Sequence, residues 1–177
     1  MIDPIFARTA RRLAFLCMLS PLAACRASAP DLPPLSTFKA EEAAFVHTSG
    51  AARIDGQAFL VLTDGKTRMA AGETVRLIPA STYAKARFAA LYRDKTFIRA
   101  GDIPQVPVDP AYAQHIRTTT TSSGGAFRFE NVAPGEYFVA TQKIWQEPGK
   151  LFPQGGAMYA RVTVAGAERQ KVIVVGR

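Results

Sequence analysis

Few side chains in this 177-residue sequence are equipped for chemistry. Cys17 and Cys25 carry its two thiols, and His47 and His115 its two imidazoles. Neither histidine stands at a metal-ligating distance in sequence from other His, Cys, Asp or Glu residues, so no metal site is expected, and His115 reads as an ordinary surface or strand histidine. A nucleophile elbow, a phosphate loop and a His-Glu zinc motif are absent, and no serine has the context of a catalytic triad. Asp55, Asp64, Glu73, Asp94, Asp102, Asp109, Glu130, Glu136 and Glu147 fall mostly in turns or on polar faces, where a carboxylate is simply solvated. The expectation is a non-enzymatic protein with no catalytic residues and no cofactor. A hydrolase with a dispersed site remains an alternative.

Aromatic side chains offer contact rather than reaction. Trp145, Phe152 and Tyr159 border a segment punctuated by Pro148-Gly149 and Gly155-Gly156, while Tyr83, Phe88 and Tyr92 recur at helical spacing. Either group could stack on sugar rings or anchor a protein partner if exposed. Alternatively, both could plug the fold beneath their own loops.

The N-terminus speaks to location. Arg8, Arg11 and Arg12 precede an apolar stretch from Leu13 to Leu19, far short of the roughly 20 residues that span a bilayer. Leu22-Ala23-Ala24-Cys25 closes that stretch, and the arrangement resembles a bacterial lipoprotein signal peptide. The resemblance implies cleavage after residue 24 and attachment of palmitate-type acyl chains to Cys25, which more than one chain makes a stable anchor. Arg26 stands where Asp retains many such proteins in the inner membrane, so it implies the outer membrane, on its periplasmic side. An ordinary secretory signal cut near Ala24, or an N-terminal helix of a cytosolic protein, are the other readings.

With Cys17 discarded and Cys25 acylated, the mature chain would hold no thiol for cross-linking or metal binding. Its formal charge of +8 includes +2 from Asp3, Arg8, Arg11 and Arg12, leaving +6 spread along the sequence. That excess suits an anionic surface or plain solvation, and no motif suggests nucleic acid.

The elements that must position these groups read mainly as strands. Residues 25–52, with Pro30, Pro33 and Pro34, read as a flexible tether containing at most a short helix between Thr37 and Phe45. From 53 to 177, strands are expected near Gln57–Thr63, Glu73–Ile78, 115–121, Phe127–Glu130, Tyr137–Ile144, Ala160–Val164 and Lys171–Val175, marked by alternation and by turns at Asp64-Gly65, Pro134-Gly135 and Ala165-Gly166. Seven strands at this spacing predict an all-β, antiparallel seven-stranded sandwich. Two insertions interrupt it, at 80–114, with one helix capped by Ser81 or Thr82, and at 145–158.

The run from Thr121 to Tyr137 (Thr-Ser-Ser-Gly-Gly-Ala-Phe-Arg-Phe-Glu-Asn-Val-Ala-Pro-Gly-Glu-Tyr) resembles the carboxypeptidase regulatory-like domain, a transthyretin-like (prealbumin-like) sandwich. Gly56 to Val61 followed by Asp64-Gly65 resembles that family's first strand and turn. The resemblance implies the fold and says nothing of activity. Ser122-Ser123-Gly124 replaces the Asp residues usual in that hairpin turn, which removes even a loose calcium site. Hydrolases of this fold that act on hydroxyisourate use several His and Arg residues and a Tyr-Arg-Gly-Ser motif, with no counterpart here. Ala71 to Phe88 also resembles lipoproteins carrying an Ile-Pro-Ala-Ser-Thr-Tyr segment. The expected function is a lipid-anchored structural or protein-binding envelope module at the outer membrane, its partner another envelope protein. The main alternative is a glycan-binding module for peptidoglycan or polysaccharide.

Overall fold

The computed structural model describes residues 35–177. The expected signal peptide, with Leu22, Ala23, Ala24 and Cys25, lies outside the described residues.

The chain is an all-β sandwich, as the sequence predicts, but with nine strands rather than seven: β1 (Ala52–Val61), β2 (Thr67–Met69), β3 (Thr74–Pro79), β4 (Phe97–Arg99), β5 (Arg117–Thr120), β6 (Ala126–Val132), β7 (Gly135–Trp145), β8 (Gln154–Val164) and β9 (Arg169–Gly176). The two unforeseen strands, β2 and β4, are three residues each. Two helices join them, α1 (Thr82–Tyr92) and the five-residue α2 (Pro110–Gln114), where one was expected.

In the first sheet, β1 carries β9 along one edge and β6 then β2 along the other. The β1–β9 pair is parallel, so the sheets are not wholly antiparallel. The second sheet runs β4-β8-β7-β3-β5, antiparallel throughout. Asn131, at φ 54°, supplies the extra residue where the β1–β6 register shifts, a bulge that bends β6 at its end. Gly125, at φ 73°, turns the chain from β5 in one sheet to β6 in the other, a crossing where a hairpin was expected, and a Cβ there would sit 2.4 Å from the Ala58 carbonyl oxygen. Only glycine fits that turn.

Between the sheets lies a core of Ile54, Leu60, Val75, Leu77, Phe127, Phe129, Val139, Met158, Val164 and Val174. Tyr137 joins it; burial pushes its phenol up to about 12, and the hydroxyl donates to the Ala133 carbonyl at 2.9 Å.

A second core covers the outer face of the β4-β8-β7-β3-β5 sheet. Strand β7 is apolar on both faces: Tyr137 and Val139 point to the sandwich interior, while Phe138 and Ala140 join Ile78, Tyr159 and α1 outside. A doubly apolar strand needs cover on both sides, and α1 provides it. Ser81 Oγ caps the helix by accepting from the Ala84 amide at 3.2 Å. The molecule is therefore three layers thick over this face.

The segment read as a flexible tether through residue 52 is, from Leu35 onward, laid on the domain. Two 3-10 turns, Ala40–Glu42 and Ala44–His47, replace the expected short helix. Phe38 meets Tyr83 and Tyr112 edge-on at 5.7 and 5.6 Å, and Ala43 and Val46 are buried. Apolar side chains at these positions gain more from the aromatic layer than a solvated tether would keep in entropy.

Candidate functional site

The six aromatic candidates separate cleanly. Tyr83, Tyr92 and Tyr159 belong to the second core and are no platform for a ligand. Phe88 lies flat on Phe138 at 4.1 Å between ring centroids, Tyr92 stacks on Phe88 at 5.5 Å, and Tyr159 meets Phe88 and Tyr92 at 4.9 and 4.6 Å. Burial also holds the Tyr92 phenol well above its ordinary value. The helical spacing of these rings marked the face of α1 that turns inward.

Trp145 and Phe152 occupy the tip of the β7–β8 hairpin. The two strands pair without interruption from Gly135 opposite Val164 to Trp145 opposite Gln154. The expected insertion at 145–158 thus shrinks to a loop over 146–153. Within it, the Gln146 side-chain amide donates to the Lys150 carbonyl, the Lys150 amide donates to the Glu147 carbonyl at 3.0 Å, and Gln154 Nε2 donates to the Phe152 carbonyl at 3.0 Å. Gly149, at φ 78°, makes the reversal. These three hydrogen bonds brace the loop, and Leu151 and Phe152 stand outward at 92% and 72% exposure.

Trp145 is half-buried against the sandwich core at the base of that loop. Arg68 of β2 lays its guanidinium over the indole, 4.1 Å from the ring centroid, a cation–π contact joining the two sheets. The ring crosses the partner strand at Gly155, where a Cβ would approach Cζ3 to 2.6 Å. Beside it, Lys143 Nζ pairs with Glu73 Oε1 at 2.8 Å and approaches the Ala71 carbonyl at 3.4 Å. The indole contacts Arg68 and not Phe152, so the two candidates form no coplanar pair; Phe152 stands free and Trp145 anchors the base. Arg68 and Leu151 are the functional candidates sequence reasoning missed. Leu151 had a legible signal, since an aliphatic next to an aromatic inside a Gly/Pro loop fits no strand period.

The described carboxylates are paired or solvated. Asp55 accepts from Arg128 Nε at 2.6 Å and Arg53 Nε at 2.7 Å, which hold its carboxyl below the usual carboxylate range, Arg128 foremost. Glu136, 2.9 Å from Lys85 Nζ, is lowered by that partner. Among the described residues no carboxylate is buried. A shallow depression of about 70 Å³ between Lys85, Glu136, Phe138, Arg161 and Thr163 is far smaller than the roughly 300 Å³ of an ordinary ligand pocket.

Comparison with known proteins places the fold. Residues 105–147 match the family model of the second beta sandwich domain of BOS complex subunit NOMO1-like proteins. No curated protein matches the chain. Among solved structures, a candidate carbohydrate-binding protein from Pseudomonas aeruginosa is 29% identical, with a TM-score of 0.69 over 81% of this chain and 100% of that one. The minor pilin GBS52 of Streptococcus agalactiae is 17% identical with a TM-score of 0.37, over 72% of this chain and 44% of that one. The family match and the Pseudomonas aeruginosa structure fit a sandwich of the transthyretin- or immunoglobulin-like kind.

Proposed function

We propose that this chain is a non-catalytic carbohydrate-binding module of the bacterial envelope, held on the periplasmic side of the outer membrane by acyl chains on Cys25. The glycan is taken at the tip of the β7–β8 hairpin, with Phe152 as the stacking ring. The observation that carries this reading is the 72% exposure of Phe152 on a loop whose own hydrogen bonds fix it, above the braced Trp145–Arg68 base. Support also comes from the Pseudomonas aeruginosa protein, similar over its whole length and described as a candidate carbohydrate binder.

Because the Phe152 ring touches little of its own protein, Phe152→Ala leaves thermal stability within a few degrees. It weakens retention on peptidoglycan or surface polysaccharide by about tenfold or more, the cost of losing an aromatic anchor of about 1.4 kcal/mol or above. Affinity electrophoresis against a panel of envelope glycans measures it, and unchanged mobility on every glycan bound by the parent protein would remove Phe152 from the site.

A second reading rests on Leu151, at 92% exposure. An aliphatic side chain does not stack on sugar, so if Leu151→Ala rather than Phe152→Ala abolishes capture, the occupant is another envelope protein.

A further inference from the structure

The two histidines of this sequence, far apart along the chain, meet in the fold. His47 ends the 3-10 turn Ala44–His47, and His115 follows the last residue of α2, with their ring centroids 4.9 Å apart and an interplanar angle of 62°. Two imidazoles bound to one first-row cation, at N–metal distances of about 2.0–2.1 Å and near-tetrahedral angles, hold their centroids about 5 Å apart. The separation matches.

The protonation of His115 points the same way. Its Nδ1 lies 2.8 Å from the Ala111 carbonyl oxygen. A carbonyl can only accept, so Nδ1 carries the proton, and Nε2 of the neutral ring keeps its lone pair. This backbone-fixed tautomer is the arrangement in which metal-ligating histidines are usually held. Behind His115, Phe38 packs at 5.3 Å between centroids, which limits how far the ring can swing. His47 is exposed and its ring is free to turn toward the cation. The nearest cation along the chain, Arg117, is occupied elsewhere, donating to the Glu130 and Asn131 carbonyls.

From this geometry we propose that His47 and His115 form a site for a divalent, imidazole-preferring transition-metal cation such as Zn²⁺ or Cu²⁺, with water filling the remaining positions. The site bridges two segments: the 35–51 stretch that leads into the sandwich and the loop between α1 and β5. A bound cation would pin the first onto the second and stabilise the docked arrangement by mass action. It is independent of the hairpin tip and of what binds there.

The test uses the full chain with Cys17→Ser and Cys25→Ser, so that no thiol competes, and without a polyhistidine tag. Zn²⁺ titrated calorimetrically should bind one per chain and raise the melting temperature. His47→Ala, at an exposed position that leaves folding intact, should weaken binding at least about tenfold and abolish the thermal shift. With Cu²⁺, electron paramagnetic resonance should show nitrogen coupling from two imidazoles in the parent and from one in His47→Ala. The proposal is overturned if the parent shows no saturable heat at millimolar Zn²⁺, or if His47→Ala binds as tightly as the parent.

Discussion

At the scale of single residues, the hairpin end depends on a glycine. Gly155 sits at φ +84°, and a Cβ there would fall 1.9 Å from the Lys143 carbonyl oxygen as well as 2.6 Å from the indole of Trp145. Gly155→Ala therefore strains the backbone and displaces the ring together, with an expected loss of about 2–4 kcal/mol. Trp145 is the single tryptophan of the sequence, so its emission reports directly: lifting the indole from beneath Arg68 should shift the fluorescence maximum to the red, whereas a substitution at exposed Leu151 should leave it in place. Residue by residue, the sequence announced Phe152 well, because an aromatic ringed by glycine and proline lacks a packing partner nearby in the chain. For Tyr83, Tyr92 and Tyr159 it left contact and plugging both open, and the structure takes the second. Their spacing gave a helix face and a strand, but the surface they meet, centred on Phe138, comes from a distant strand that spacing cannot bring into view.

Individual elements were legible in proportion to their length and local signals. The helix α1 declared itself through its cap at Ser81, and β6 through the alternation of Phe127 and Phe129 with Arg128 and Glu130. Strands β2 and β4, three residues each and mostly unburied, carry no period long enough to recognise; they exist because longer neighbours, β1 and β8, offer backbone partners. The parallel pairing of β9 is equally invisible locally, since register between distant strands is set by the core they share. The turn leading into β9 makes a prediction of its own. Glu168 accepts from the Ala165 and Gly166 amides at 2.6 and 2.7 Å and from Gln170 Nε2 at 3.2 Å, and these donors, the Ala165 amide foremost, bring its pKa down to about 2. A carboxyl whose pKa is lower folded than unfolded stabilises the fold above its ordinary value near 4.5 and loses that contribution as pH falls from there toward 2. Protection factors of the Ala165 and Gly166 amides, which divide out the intrinsic pH dependence of exchange, should fall across that window in the parent, while Glu168→Gln should show lower protection already at neutral pH and respond less to acid.

For the whole molecule, the sandwich class was readable from the run Thr121 to Tyr137, yet the third layer was not. A doubly apolar strand betrays that something must cover it, without saying what. Among the described residues Leu151 and Phe152 at the hairpin tip are the most exposed of the large apolar side chains, ahead of Ile173 on β9, which is why the proposed ligand is assigned there. The proposed anchor is tested at this scale too. Cys25→Ser should stop incorporation of labelled palmitate, whereas globomycin, which blocks cleavage after the thiol is acylated, should leave a labelled precursor larger by the leader; palmitate labelling that persists after Cys25→Ser would mean that another residue carries the lipid.

The side-by-side alignment of β1 and β9, with Arg53 opposite Arg169 and Leu60 opposite Gly176, has a temporal consequence. A polypeptide delivered from its amino end, whether emerging from a ribosome or threading a translocation pore, offers one flank of β1 with nothing to zip against until residue 176 arrives. All the intervening strands must wait beside an unfinished seam, and so much non-local pairing makes closure slow. Such a chain stays pliable until its last strand is delivered, a schedule that would suit the export proposed above.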